Sequence, residues 1–226
     1  MARFTAPISD RAATTNVTRM YRLATDEQRA AGAAWYADAE TIAASLALRH
    51  GASTLAAAGV LAAVSPLNSW GANVNLAARI LREHAAGRTV TTGYLSTGLG
   101  KAAAILAGES IAETLRSPKI LNFWRCIATG GTDPAAVCID RHAWDIVTNT
   151  RHRDGADTDS TLPVRPSING ARYNWAASAY VRAAAILSRE LGETVTSAQV
   201  QATTWLAWRR RYRSAGAYDG HALSGS

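Results

Sequence analysis

The sequence predicts an all-α protein, and three observations lead to that fold class. Apolar residues recur at three- and four-residue steps through most of the chain, which is the period of a helix with one buried face. No stretch of useful length alternates apolar and polar residues with a period of two, as a half-buried strand would. Glycine and proline residues separate the helical stretches. The 226 residues, 48% of them hydrophobic, suffice for a sizeable core. The pattern predicts about eight to ten helices.

The first half of the chain is predicted to contain three main helices. Residues 26 to about 49 are strong helix formers, and Gly51 follows as a C-terminal cap. The next stretch, from Thr54 to the terminator Pro66, is apolar on nearly every side, so we expect it at the centre of the fold. The third helix has one apolar and one charged face and stops at Gly87.

Short helices are expected in the middle of the chain. They lie within "STGLGKAAAILAGES", "SIAETL" and "SPKILNFWRCIATGG", and Pro118 falls in the first turn of the last one, where its missing N–H would have no partner anyway. A further helix is predicted to begin near Asp140.

The C-terminal part combines a loop with two longer helices. Residues 151–168 are charged and contain two prolines, which predicts a loop or lid. A long helix ends at Gly192. Thr196 and Gln199 have the spacing of a capping box that opens the last helix.

Charge and composition narrow the class of partner. The chain carries a formal net charge of +7, and of its 24 basic residues only Lys101 and Lys119 are lysines. Such an excess of positive charge makes a polyanion, above all nucleic acid, the leading class of partner. Cys126 and Cys138 have no second pair and no histidine-rich partner set, so we expect buried thiols, with neither a disulfide nor a metal site. No cofactor is expected.

The location of the protein is also predicted from composition. No apolar run approaches the roughly twenty residues of a membrane span, and no secretory signal opens the chain. We therefore expect a cytoplasmic protein that does not enter a membrane.

Lys119 and Asp140 are the candidate reactive pair. The lysine lies in the first turn of one predicted helix, and the aspartate opens the next one after a short glycine-containing connection. Such a connection brings two helix N-termini near each other. An aspartate at this position also caps backbone N–H groups and faces the positive end of the helix dipole. Position alone therefore leaves capping and catalysis both open for Asp140.

The order of several segments resembles a known family. The segments "VLAAVSPLNSWGANVNLAARIL", "TGLGKAAAILAG", "LRSPKILNFW" and "VCIDRHAWDI" follow one another as do the corresponding parts of the helix-hairpin-helix (HhH-GPD) DNA glycosylase superfamily, the endonuclease III-like fold. The Asp-x-His segment is the most specific part. The chain also looks like a set of uncharacterised actinobacteriophage proteins that share this segment.

The resemblance implies a two-lobed helical fold that binds DNA in a central cleft. It covers residues 54–150, which would form the HhH-GPD-like core. Residues 19–53 and 169–213 would build the second lobe, and the two lobes together form one domain, 19–213. Residues 1–18 are expected to be a flexible arm and residues 214–226 a disordered tail.

The resemblance also implies roles for individual residues. Lys119 would be the nucleophile at the sugar C1′, Asp140 the carboxylate that supports it, and His142 a packing residue. The target base would be flipped out of the duplex. The hairpin glycines that hold a phosphate in the family are absent here, because Arg116, Ser117 and Pro118 occupy that turn.

A set of polar, basic and aromatic residues is expected to contact DNA. The turn "SPLNSWGAN" is where the family inserts a polar side chain into the space left by the flipped base, and the arginines are expected to contact phosphates. These candidates are Asn68, Ser69, Trp70, Arg116, Ser117, Arg141, Arg151, Arg153, Arg209, Arg210, Arg211 and Arg213.

Three functions are compatible with these patterns. The first is a DNA glycosylase, with or without lyase activity, that acts on double-stranded DNA as a monomer in a bacterial or phage-infected cell. The second is an enzyme that acts on the hypermodified thymine bases of phage DNA. The third is a non-catalytic DNA-binding or host-interaction protein on the same scaffold.

Overall fold

The protein is all-α, as the sequence predicts. The computed structural model describes residues 4–154 and 161–212, and within those ranges it contains ten helices and no β-strand; a single bridge joins Arg153 to Val164. The helices are α1 Asp10–Arg22, α2 Asp26–His50, α3 Thr54–Ala63, α4 Trp70–Ala85, α5 Ser96–Leu106, α6 Ile111–Thr114, α7 Pro118–Ala128, α8 Arg141–Thr148, α9 Gly170–Leu191 and α10 Ser197–Tyr212.

The helices belong to two compact units. The second unit is the continuous segment Ala37–Gly130, and the first unit is formed by the segment that ends at Tyr36 and the segment that begins at Gly131. The division therefore falls inside α2. The core expected over residues 54–150 has other bounds, because α8 packs on α1, α9 and α10 of the first unit.

The N-terminal segment is a helix over much of the range expected to be a flexible arm. Helix α1 begins at Asp10, where the hydroxyl of Ser9 accepts the N–H of Ala12 at 3.2 Å. It buries Val17 and Met20 in the core that α1 forms with α8, α9 and α10. The expectation of a loose arm is therefore wrong from Asp10 onward. Threonine is a weak helix former, so burial of one face, and not intrinsic propensity, stabilises this helix.

Helix α3 is the centre of the second unit, as its uniformly apolar sequence predicts. Every residue from Ala57 to Ala63 is buried, and α3 packs on α4, α5 and α7. Gly59 permits a close approach of neighbouring side chains to α3. A Cβ at Gly59 would lie 3.3 Å from side-chain carbons of Ile105 and Ile111, tighter than ordinary contact.

Local signals place several helix ends correctly. The backbone N–H of Thr196 donates to Gln199 Oε1 at 2.9 Å and the N–H of Gln199 donates to the Thr196 hydroxyl at 3.2 Å, which is the predicted capping box. Gly192 ends α9 in the left-handed conformation, with φ of 71°. Cys126 and Cys138 are buried and are not joined in a disulfide, which confirms the prediction of buried thiols.

No single helix in the described residues is both long and apolar enough to cross a membrane. Helices α2 and α3, which are bent relative to each other, reach the length and apolar composition of a membrane span only when they are taken together.

Candidate functional site

Asp140 is the N-cap of α8. Its Oδ1 accepts the backbone N–H of Ala143 at 2.8 Å, and its backbone is extended, as an N-cap requires. The residue is partly exposed. Within the described residues the other carboxylate oxygen, Oδ2, receives no hydrogen bond. One oxygen therefore fixes the side chain on the helix, and the second remains for a ligand.

The segment before Asp140 is held rigidly. The hydroxyl of Tyr173 donates to the carbonyl of Val137 at 2.7 Å and accepts the N–H of Ile139 at 3.1 Å. Val137 and Ile139 are almost completely buried. The carbonyl of Val137 and the N–H of Ile139 are thus both paired with one tyrosine of α9. The position of the backbone that leads to Asp140 is therefore well determined.

A histidine and two residues of α10 surround the start of α8. The ring of His142 meets the edge of Trp205 at a centroid distance of 6.4 Å, and the guanidinium of Arg209 lies 4.5 Å above the Trp205 ring. Burial lowers the pKa of His142, and the carboxylate of Asp140 acts against that shift. The structure therefore places Asp140, His142 and Arg209 in one neighbourhood of the first unit. The sequence predicts a packing role for His142, and its ring does pack on Trp205.

A short connection joins α6 to α7 at the position of the predicted hairpin turn. Helix α6 ends at Thr114 and α7 begins at Pro118, so the turn cannot offer an N–H from Pro118. Arg116 Nε donates to the carbonyl of Glu113 at 3.0 Å. Lys119 follows in the first turn of α7 with an exposed side chain. Lys119 belongs to the second unit and Asp140 to the first.

The turn between α3 and α4 presents a residue that the sequence analysis did not select. Asn68 Nδ2 donates to the carbonyl of Val64 at 2.9 Å, and the Ser69 hydroxyl caps α4 by accepting the N–H of Ala72 at 3.2 Å. Both side chains therefore build the turn itself. Leu67, in contrast, is 84% exposed.

Leu67 is also held in an unusual backbone conformation. Its φ of 61° lies in the left-handed region, which a leucine rarely adopts. The Tyr94 hydroxyl donates to the carbonyl of Pro66, directly before it, and this bond restricts the turn. Trp70, the third predicted contact, meets the ring of Phe123 edge-on at 6.4 Å. The sequence signal that could have identified Leu67 is its position between two turn-forming residues, Pro66 and Asn68.

A buried network of hydrogen bonds and ion pairs joins the predicted loop to α8. Asp145 is 3% exposed, and its Oδ2 accepts Arg165 Nη2 at 3.0 Å while its Oδ1 lies 2.8 Å from His152 Nδ1. Arg165 also donates to the carbonyl of His152 at 2.6 Å and pairs with Asp154. The described parts of segment 151–168 thus form a loop, as predicted. Hydrogen bonds and ion pairs hold this loop on α8. Sequence reasoning assigned no role to Asp145 or Arg165.

The predicted arginine contacts of this loop have local partners. Arg153 Nε donates to the carbonyl of Leu162 at 3.1 Å, and the guanidinium of Arg151 stacks 4.8 Å from the Tyr212 ring. Arg141 Nη1 lies 3.2 Å from Asp154 Oδ2, in an exposed ion pair. An exposed ion pair of this kind contributes little to stability.

The arginines at the end of α10 face different surroundings. Arg209 stacks on Trp205, whereas Arg210 and Arg211 line a groove beside α1. Arg213 lies outside the described residues. The predicted basic patch is therefore divided in two within the described chain.

Comparison with known proteins gives one match. A family described as a family of unknown function, DUF7178, matches residues 1–212. The chain belongs to the DUF7178 family. No curated protein and no solved structure matches the chain.

Two features of this DUF7178 protein could perform chemistry or recognition. The first is a partly exposed carboxylate with one uncommitted oxygen at a helix N-terminus, beside a histidine and an arginine. The second is an exposed leucine on a restricted turn. Within the described residues no group of three or more His, Cys, Asp or Glu side chains could hold a metal ion.

Proposed function

We propose that this protein binds double-stranded DNA and acts on a base turned out of the helix, in the manner of the HhH-GPD glycosylases that its sequence resembles. The observation that carries the proposal is the carboxylate of Asp140. It is fixed on α8 by the Ala143 N–H through Oδ1, and Oδ2 is left for a ligand. The proposal includes the two-lobed glycosylase-type fold with DNA as the partner.

Asp140 would act on the sugar of the extruded nucleotide. When the bond between the base and C1′ breaks, the departing base takes the bonding electrons and positive charge develops on the sugar. A fixed carboxylate stabilises that charge without reorganising during the reaction. The guanidinium of Arg209 and that of Arg141 lie on the same part of the first unit and would hold neighbouring phosphates.

Lys119 is proposed as the amine of the lyase step. Lys119 is an exposed residue in the first turn of α7. After it loses its proton, the amine adds to the C1′ aldehyde of the abasic sugar, and the resulting carbinolamine loses water to give a Schiff base that retains the lysine nitrogen. Arg116 and Ser117 in the preceding turn are proposed phosphate contacts.

Leu67 is proposed as the side chain that enters the duplex. The resemblance assigns this task to a polar residue of the same turn, but Asn68 and Ser69 are bonded to backbone groups of the turn and of α4. An apolar side chain inserted between base steps unstacks them and assists bending. The exposed, restricted Leu67 fits that use.

The test is a screen of the purified full chain against duplexes that each carry one damaged or phage-modified base. The expected result is an alkali-labile site in at least one duplex, absent with Asp140→Asn. Specific binding to such a duplex without any product, in both proteins, would overturn the enzymatic proposal.

A non-catalytic DNA-binding protein on the same scaffold is the second candidate. Pro118 favours it, because a turn that lacks this N–H would hold the phosphate near Lys119 less firmly than the glycine turn of the family and would position the reacting sugar less well. Binding that is unchanged by Asp140→Asn, together with no product in the screen, is its expected signature.

A further inference from the structure

A groove in the first unit has an apolar floor and a basic wall. Its volume is about 380 Å³, and it lies where the end of α1 and the start of α2 meet the end of α10. Leu23 provides the exposed apolar surface, the largely buried Met20 and Ala207 lie behind it, and Arg210 and Arg211 provide the charge. None of these residues belongs to the Asp140 neighbourhood described above.

The floor of the groove presents an exposed leucine on a rigid corner. Leu23 is 56% exposed, although it follows a helix whose large apolar side chains are buried. Its N–H donates to the carbonyl of Arg19 at 3.1 Å, and a reciprocal pair of bonds between Thr25 and Gln28 begins α2 two residues later. The backbone on both sides of Leu23 is therefore fixed, and the side chain remains in solvent.

The wall of the groove carries two exposed arginines. Within the described chain neither Arg210 nor Arg211 forms an ion pair within 4 Å. Arg210 interacts electrostatically with the exposed carboxylate of Glu27, and Arg211 contacts the Tyr212 ring at 5.8 Å. Two guanidinium groups beside an exposed leucine match a ligand that combines negative charge with an apolar side chain.

We propose that this groove docks an acidic segment of a partner protein, with one large apolar side chain of that segment packed on Leu23 beside the arginines. Apolar surface rimmed by charge marks protein interaction sites, and arginine is enriched in them. A DNA backbone would satisfy the arginines, but it has no apolar group to bury on Leu23. The proposal goes beyond DNA binding and does not depend on it.

The experiment uses the full chain and two fluorescein-labelled peptides. One peptide has glutamates on both sides of a central phenylalanine, and the other has serine in place of that phenylalanine. Fluorescence anisotropy gives the dissociation constants for the wild type, Leu23→Ser, and the double variant Arg210→Gln with Arg211→Gln. Leu191→Ser is the matched control, because Leu191 is 50% exposed at the end of α9 in the same unit.

The proposal predicts that the phenylalanine peptide binds the wild type and Leu191→Ser equally. Leu23→Ser and the double arginine variant are each expected to bind about tenfold more weakly, a change of about 1.4 kcal/mol. Equal binding of the two peptides would overturn it, since attraction would then be purely electrostatic. The proposal would also be overturned if Leu23→Ser and Leu191→Ser lowered the affinity for the phenylalanine peptide equally. Displacement of the peptide by duplex DNA would overturn it too, as would a change of sedimentation coefficient in Leu23→Ser, which would identify a second copy as the occupant.

Discussion

The carboxylate of Asp140 accepts the backbone N–H of Ala143 at 2.8 Å, and this bond explains why a charged residue interrupts an apolar run. Ile139 before it and Ala143 three positions after it are buried, whereas Asp140 lies at the point where the chain turns into α8. A helix start needs such a cap whether or not the carboxylate reacts. Capping is therefore shown, and catalysis is the additional proposal.

Substitutions at Asp140 separate these two roles. Asparagine caps a helix as well as aspartate does, so Asp140→Asn should leave the free energy of unfolding nearly unchanged and abolish release of the base. Asp140→Ala should also lower the free energy of unfolding, by about 1 kcal/mol. Urea denaturation and single-turnover product formation measure the two effects. Full base release by Asp140→Asn would leave capping as the sole role.

Lys119 should form a covalent adduct with abasic DNA. Borohydride reduces the Schiff base between a lysine and the sugar C1′, so the wild type should migrate as a crosslinked complex on a denaturing gel. We expect no crosslink with Lys119→Ala and an undiminished one with Lys101→Ala, the only other lysine variant that the chain offers. A crosslink that survives Lys119→Ala removes this residue from the mechanism.

Leu67 should unstack DNA. Leu67→Ala removes the proposed wedge, so the fluorescence increase of a 2-aminopurine duplex on binding should fall and affinity should drop about tenfold. Leu48→Ala is the matched control, because Leu48 is 88% exposed in the same unit. Leu67→Gly should lose the same signal while the free energy of unfolding stays within about 1 kcal/mol, since glycine accepts the positive φ. Equal signals from all four proteins would contradict the assignment.

Asp145 should be among the most important polar residues for stability. Asp145→Ala leaves the buried guanidinium of Arg165 without its main partner. Removal of one partner from a buried ion pair lowers the free energy of unfolding by about 3–5 kcal/mol, and we expect a loss of that size here. Asp154 pairs with the same arginine, but its side chain is 60% exposed. Asp154→Ala should therefore lower the free energy of unfolding by only about 0–1 kcal/mol. Urea denaturation of both variants measures the difference. Similar losses would mean that the network is not buried in solution.

The stability of the protein should depend on the protonation of His142. Burial holds the pKa of this imidazole below its usual value of 6.5, so the unfolded chain takes up the proton first as the pH falls. The wild type should therefore lose stability relative to His142→Gln as the pH decreases from about 6.5 through the lower pKa of the folded state. Other titrating groups are common to both proteins and cancel. A constant difference between pH-dependent unfolding curves would contradict this.

The sequence alone determined the fold class and most helix ends. Helix α3 could be predicted as the centre of the second unit because its apolar residues leave no side for solvent. The capping box of Thr196 and Gln199 and the cap at Asp140 could be predicted because each depends on residues within one turn. These are local properties, and a single chain carries all the information that they need.

The tertiary structure alone decided the features that depend on distant residues. Asp145 and Arg165 are twenty positions apart, and only the path of the loop between α8 and α9 brings their charges together. Helix α1 forms where periodicity was weak, because α8, α9 and α10 provide a surface on which to bury it. The exposure of Leu67 follows from the bonds that Asn68 and Ser69 make to the backbone around it. Contacts of this kind arise from packing between elements, which no local pattern in the sequence encodes.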